Sequence, residues 1–219
     1  MRSRWTAAVV LAGMWALALV IYLRAPSRIP MHWNMRGEID GWGGPATAFL
    51  LPAAGMGIVL LMEILPRLDP RRANWEKFGG EVRLIVNVLV LFLAWIEVTT
   101  IGAWTFGWKV DGGRATTVGM GVLLMVMGNY LPRIRSNWWM GIRTPWTLSS
   151  DRVWRDTHRL AGRTFVAAGG VSILAGLVLP GPAGVSVSLA AVTAGAILPV
   201  VYSYLIWRRE AAPGPSKKG

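Results

Sequence analysis

The chain has 219 residues, of which 53% are hydrophobic and only 16% charged, with 13 tryptophans and a mean hydropathy of +0.44. Soluble domains carry about 25% charged residues, so a water-facing globular domain is excluded, as is intrinsic disorder. The absence of cysteine removes disulfide scaffolds, thiolate metal sites, iron–sulfur clusters and cysteine nucleophiles together. Two histidines, His32 and His158, leave little material for an imidazole metal centre.

A helix needs roughly 20 mostly apolar residues to cross about 30 Å of hydrocarbon. Six stretches meet that requirement: 5–23, 46–65, 82–106, 114–131, 162–179 and 183–207. The first follows Arg2 and Arg4 in the manner of a signal peptide. Its apolar run is longer than the usual 7–15 residues or so, and Leu23-Arg24-Ala25-Pro26 is a poor cleavage site, so it is expected to be a retained span. Pro26, Pro30, Pro66, Pro70, Pro132, Pro180 and Pro182 punctuate the span ends. Pro52 and Pro199 fall inside spans and are expected to kink them. The tail 212–219 reads as disordered. The expected fold is all-α: a polytopic bundle of six transmembrane helices forming a single integral membrane domain over 1–219. Residues 5–66 hold the first two spans and an outer loop, and 113–207 the last three spans.

The net charge of +12 invites a nucleic-acid reading until the cations are sorted by topology. With the N-terminus in the cytoplasm, 17 of the 23 Lys and Arg face inward and 5 outward, with Arg83 at the inner mouth of the third span. The positive-inside rule accounts for that asymmetry. No nucleic-acid partner is expected, whereas the lipid bilayer is, and a basic inner face attracts anionic lipid.

The loop after the first span, residues 29–44, holds His32, Asn34, Glu38 and Asp40, with Gly37, Gly41, Gly43 and Gly44 permitting turns. Its Pro-x-His-Trp-Asn-x-x-Gly-x-x-Asp pattern is dense in polar groups for so short a loop. One carboxylate, Glu97, lies deep in the third span and must face the bundle interior or pair. Its candidate partners are His32, Arg36, Thr100 and Trp104. His32, Asp40 and Glu97 together are the weak candidates for a metal or a reactive site; the alternative is a hydrogen-bonded anchor for the loop. No metal or other cofactor is expected, since no zinc-protease, nucleophile-elbow or phosphate-loop motif is present. The expected topology puts His32 and His158 on opposite sides of the membrane.

The second distinctive stretch is on the inner side. It contains Gly128-Asn-Tyr-Leu-Pro132, then Asn137-Trp-Trp-Met-Gly-Ile-Arg-Thr-Pro-Trp-Thr-Leu148, then Val153-Trp-Arg-Asp-Thr-His-Arg159. In these motifs the chain resembles the SdpI family, six-span bacterial membrane proteins, and the Pro-His-Trp-Asn loop resembles the domain of unknown function that precedes the signature in many relatives. The resemblance implies an immunity protein of the plasma membrane, without enzymatic activity, with both termini cytoplasmic. It implies a membrane-active peptide toxin as the outer partner and a cytoplasmic repressor protein as the inner one, giving a role in signal transduction.

Thr147, Ser149 or Ser150 can cap a helix beginning near Asp151, an amphipathic cytoplasmic helix between spans four and five. Asp151/Arg155 and Arg152/Asp156 have the favourable i,i+4 order, and Trp154, His158, Ala161 and Phe165 share one face. Two readings of the inner motif remain open. Arg143, Pro145, Trp146, Trp154 and His158 form a docking surface, or the motif is a folded platform in which Asn129, Asn137, Gly141, Arg143 and Thr144 tie loop to helix ends. Three function classes follow: immunity protein, an intramembrane enzyme or ion- or proton-coupled transporter using Glu97 and His32, and a structural envelope protein.

Overall fold

A computed structural model describes residues 2–25, 27–34 and 38–211. Gly37, Arg36, Pro26 and the tail 212–219 lie outside the described residues. The elements are α1 (Arg2–Arg24), a hairpin of β1 (Ile29–Trp33) and β2 (Ile39–Gly43), a 3-10 turn (Pro45–Phe49) and α2 (Leu50–Leu68). A short α3 (Arg72–Trp75) precedes α4 (Gly79–Glu97), which continues as a π-helical turn (Val98–Gly102) into α5 (Ala103–Phe106). Then come α6 (Gly112–Tyr130), a 3-10 turn (Leu131–Arg133), α7 (Pro145–Ser149), α8 (Asp151–Val178) and α9 (Gly181–Ala211).

Six helical stretches are long and apolar enough to cross a membrane: Trp5–Arg24, Pro45–Leu68, Gly79–Phe106, Gly112–Arg133, Asp151–Val178 and Gly181–Glu210. They coincide with the stretches read from the sequence, and they carry apolar residues such as Val9, Leu60, Leu174 and Leu189 on exposed faces. Such faces are stable only against acyl chains. An even number of spans returns the chain to the side on which it began.

Four features depart from the sequence reading. The amphipathic stretch 151–162 is not a separate helix but the first turns of the continuous 28-residue α8. Ser150 caps it, its hydroxyl accepting from the Val153 N–H, and no breaker stands between Asp151 and the apolar stretch that follows. Pro52 lies in the first turn of α2, where its missing N–H has no intrahelical partner to lose. Pro66, read as a boundary, is inside the last turns of α2. Residues 29–44 are also more ordered than a chain of turns, since β1 and β2 pair antiparallel with a bulge around His32.

α8 packs most extensively on α6 and α9. The α6–α8 seam is built on glycine, because a Cβ at Gly128 would stand 2.7 Å from the Gly162 carbonyl oxygen, and a Cβ at Gly162 the same distance from that of Gly128. Gly121 and Gly169 repeat the relationship, at 2.6 Å and 2.5 Å. Small residues let backbones approach where no water drives helices together. The other half of the bundle encloses two apolar clusters. One joins Met14, Trp75, Phe78, Val82, Val86, Val90, Ile134 and Trp154, and the other joins Ala18, Ile21, Ile29, Ala48 and Ile101 beneath the hairpin.

Candidate functional site

The hairpin end of the bundle is assembled from three segments. Ile29 and Pro30 are fully buried, Ile29 in the apolar cluster, which anchors β1, and Trp42 of β2 meets Trp104 of α5 edge-on at 5.8 Å. The turn is closed by Asn34 and Glu38. The Asn34 amide donates to the Glu38 carboxylate at 2.8 Å, and the Glu38 N–H donates back to Asn34 Oδ1 at 3.1 Å. Across the strands His32 Nδ1 lies 2.5 Å from Asp40 Oδ1, both side chains open to solvent.

Below this hairpin lies a cavity of about 600 Å³. Its roof is Met31–Asn34, its wall is Ile96 and Thr100, and its far side is the start of α6 and of α9, including Asp111, Thr117, Pro182 and Ser188. Asp111 caps α6, accepting from the Arg114 N–H at 3.0 Å, while the Arg114 guanidinium donates to the Leu179 carbonyl at 2.9 Å. Those two bonds tie the start of α6 to the end of α8 at the cavity rim.

Glu97 does not join His32 and Asp40. It is fully buried at the end of α4, and neither carboxylate oxygen has a hydrogen-bond partner among the described residues. The π-helical turn that follows shifts the helical register. Ile96 and Thr100 line the cavity and Glu97 does not, while the Thr99 and Thr100 hydroxyls donate back to the Trp95 and Ile96 carbonyls. The expected His32–Glu97–Asp40 group is therefore corrected to a surface pair and an isolated buried acid. No three His, Asp or Glu side chains converge as a metal site among the described residues.

At the opposite end the signature stretch folds into a platform. Asn137 is fully buried; its amide donates to the Arg135 and Met140 carbonyls, and its Oδ1 accepts from the Trp139 and Met140 N–H groups. Thr144 and Thr147 form a capping box on α7, with Pro145 in its first turn. Arg143 donates to the Trp138 carbonyl at 2.7 Å. Trp146 donates to Ser203 and meets Tyr204 of α9 edge-on at 5.3 Å. Trp154 donates to the Ile134 carbonyl at 2.8 Å and stacks on His158 at 4.1 Å. His158 accepts from the Ile142 N–H at Nε2 (3.0 Å) and donates from Nδ1 to the Trp154 carbonyl (2.8 Å). Both ring nitrogens are thus committed. Asn129, by contrast, only donates back to the Met125 carbonyl from an exposed position.

Trp154 and His158 are buried, so they are not presented to a partner; Arg143, Trp138 and Trp139 are exposed. Sequence reasoning missed the clamp from the preceding loop. Asp69, 3% exposed, accepts from the Arg71 N–H, the Trp75 indole and the Trp138 N–H. Arg71 donates to Ser136 and to the Leu148 carbonyl, and Asn74 to the Ser136 carbonyl. The only local signal was Asp69 before Pro70, which reads as a turn.

These features define a polytopic α-helical membrane protein with a cavity under a β-hairpin at one end and a hydrogen-bonded loop platform at the other. Residues 133–203 match the SdpI/YfhL protein family, and residues 9–56 match a domain of unknown function, DUF1648. The chain is 23% identical over 169 residues to the immunity protein SdpI of Bacillus subtilis (strain 168), covering 77% of this chain and 79% of that protein. The chain is thus similar to the SdpI/YfhL family over residues 133–203 and to that immunity protein over most of its length. No solved structure matches it.

Proposed function

We propose that the chain is an immunity protein of the SdpI type that resides in the bacterial plasma membrane and protects the cell from a membrane-active peptide on the outer side. The observation that carries this reading is the cavity under the hairpin: its lining is mostly apolar, with Asp111 and Asn34 among its polar groups. Apolar walls with a few placed polar groups suit an amphipathic ligand. The similarity to the immunity protein SdpI supports the same reading.

The charge asymmetry of 17 inward to 5 outward cations supports cytoplasmic termini, with the hairpin outside and the platform inside. The exposed Trp138, Trp139 and Arg143 would then be available to a cytoplasmic repressor. One observation favours a second reading: a fully buried acid beside a π-helical turn is an arrangement used in proton- or ion-coupled proteins.

Expression in a strain sensitive to such a peptide separates the two. Protection that survives Glu97→Gln but is lost with Asp111→Asn or hairpin variants supports immunity through the cavity. Protection lost with Glu97→Gln alone, the protein still being in the membrane, supports the coupled reading instead.

A further inference from the structure

At the platform end, three segments that are distant in sequence enclose a crevice of about 740 Å³. Lys77 comes from the loop before α4, Arg133 and Arg135 from the chain leaving α6, and Arg155 and Arg159 from the first turns of α8. Glu81 and Asp151 are the acids in its lining, so cations outnumber acids five to two. Its floor is apolar, formed by Pro132, Ile134 and the buried Trp154, whose indole N–H is already bonded to the Ile134 carbonyl.

These cations are not neutralised internally. Among the described residues the side chains of Arg135, Arg155 and Arg159 make no ion pair or hydrogen bond, and Asp151 does not pair with Arg155. Lys77 has only a long 3.5 Å contact to Asn74, and the Arg133 guanidinium is held over the Tyr130 ring at 4.9 Å. Arg155 and Arg159 stand one helical turn apart, a like-charge spacing that costs a few tenths of a kcal/mol unless an anion lies between them. The crevice also lies where spans end. Arg133 closes the fourth span, Glu81 is in the first turn of the third, and Arg155 and Arg159 precede the apolar part of the fifth. That is the depth of phosphate headgroups.

We propose that this crevice is a binding site for the phosphate-bearing headgroup of an anionic phospholipid in the adjacent leaflet. Arg155, Arg159 and Lys77 supply charge-assisted donors to the phosphate, and the apolar floor receives the glycerol and the first acyl carbons. The site is distinct from the hairpin-end cavity and does not depend on its ligand.

The test uses the full chain purified in a neutral detergent, with retention of phosphatidylglycerol and phosphatidylcholine followed by native mass spectrometry. Phosphatidylglycerol is expected to be retained selectively. The pair Arg155→Gln/Arg159→Gln should weaken that retention by roughly 30-fold, as for two well-placed cations near an anionic surface. The pair Lys77→Gln/Arg135→Gln, on different segments, should weaken it similarly. The control pair Arg208→Gln/Arg209→Gln removes the same charge elsewhere and should leave it unchanged. The Arg155 and Arg159 side chains make no bonds among the described residues, so an unaltered melting temperature is expected of their variants. Equal loss in the control pair would overturn the site in favour of diffuse charge. Competition by inorganic phosphate or glycerophosphoglycerol as strong as that by the lipid would overturn the lipid assignment. So would tighter binding of an acidic peptide than of phosphatidylglycerol.

Discussion

His158 occupies the space that a side chain at Gly141 would need. Gly141 has φ of +97°, and a Cβ built on it would overlap His158 Nε2, the same atom that accepts from the Ile142 N–H. Glycine is therefore required twice at this position, for its backbone conformation and for its lack of a side chain. Gly141→Ala should destabilise the protein by about 2–5 kcal/mol, combining strain of about 1–3 kcal/mol with an unmatched buried group. Thermal unfolding in detergent measures this. Because the clash disappears with the imidazole, Gly141→Ala in a His158→Ala background should cost clearly less than it does alone. Additive losses would show that the two residues are not coupled.

Glu97 leads to the opposite expectation. Its oxygens have no partner among the described residues and His32 pairs with Asp40, so Glu97→Ala and His32→Ala should be additive within about 0.5 kcal/mol. Glu97→Met fills the same volume without a polar group to satisfy, and it should be neutral or stabilising. A loss above about 2 kcal/mol in the melting analysis of Glu97→Met would reveal a partner that the fold does not display.

The glycine seam gives a third expectation. Gly128 and Gly162 bring α6 and α8 into backbone contact, so Gly128→Leu should separate them and cost more than the roughly 1–3 kcal/mol typical of overpacking. Gly13, with nothing near its Cβ position, is the control: Gly13→Ala should be neutral or slightly stabilising. Melting curves of the two variants, compared at equal expression, decide the matter.

Topology is tested by labelling, which the absence of native cysteine makes clean. A cysteine at Ser27, beside the hairpin, should react with an impermeant maleimide in intact cells. One at Ser149, exposed on the platform, should react only after lysis. The reverse pattern would invert the assignment of both sites.

The hairpin variants test the proposed function directly. The His32–Asp40 pair is exposed, and such pairs contribute about 0–1 kcal/mol. Asp40→Asn should therefore leave the amount of protein in the membrane unchanged while altering protection against the peptide. A fall in protein level that parallels the fall in protection would mean the hairpin is only structural.

The sequence by itself determined the six spans, and it narrowed the cap of α8 to Thr147, Ser149 or Ser150, of which Ser150 serves. Each depends on composition or on neighbours a few residues apart: about 20 apolar residues suffice to cross a bilayer, and a serine hydroxyl reaches the third N–H of the helix it precedes. The similarity to the SdpI/YfhL family was legible too, because the motifs that carry it are close together in sequence, from Gly128 to Arg159. What only the tertiary structure decided depends on pairs distant in sequence. Asp69 and Arg71 clamp a loop more than 60 residues away, at Ser136, Trp138 and Leu148. Gly121 and Gly128 look like ordinary weak points in a helix until α8 brings Gly169 and Gly162 against them. Glu97 was legible as a buried acid but not as an isolated one. Burial follows from its place in an apolar run, whereas its separation from His32 depends on how α4 packs beneath the hairpin, which no periodicity announces. Which surfaces meet is fixed by packing, and packing is a property of the assembled bundle.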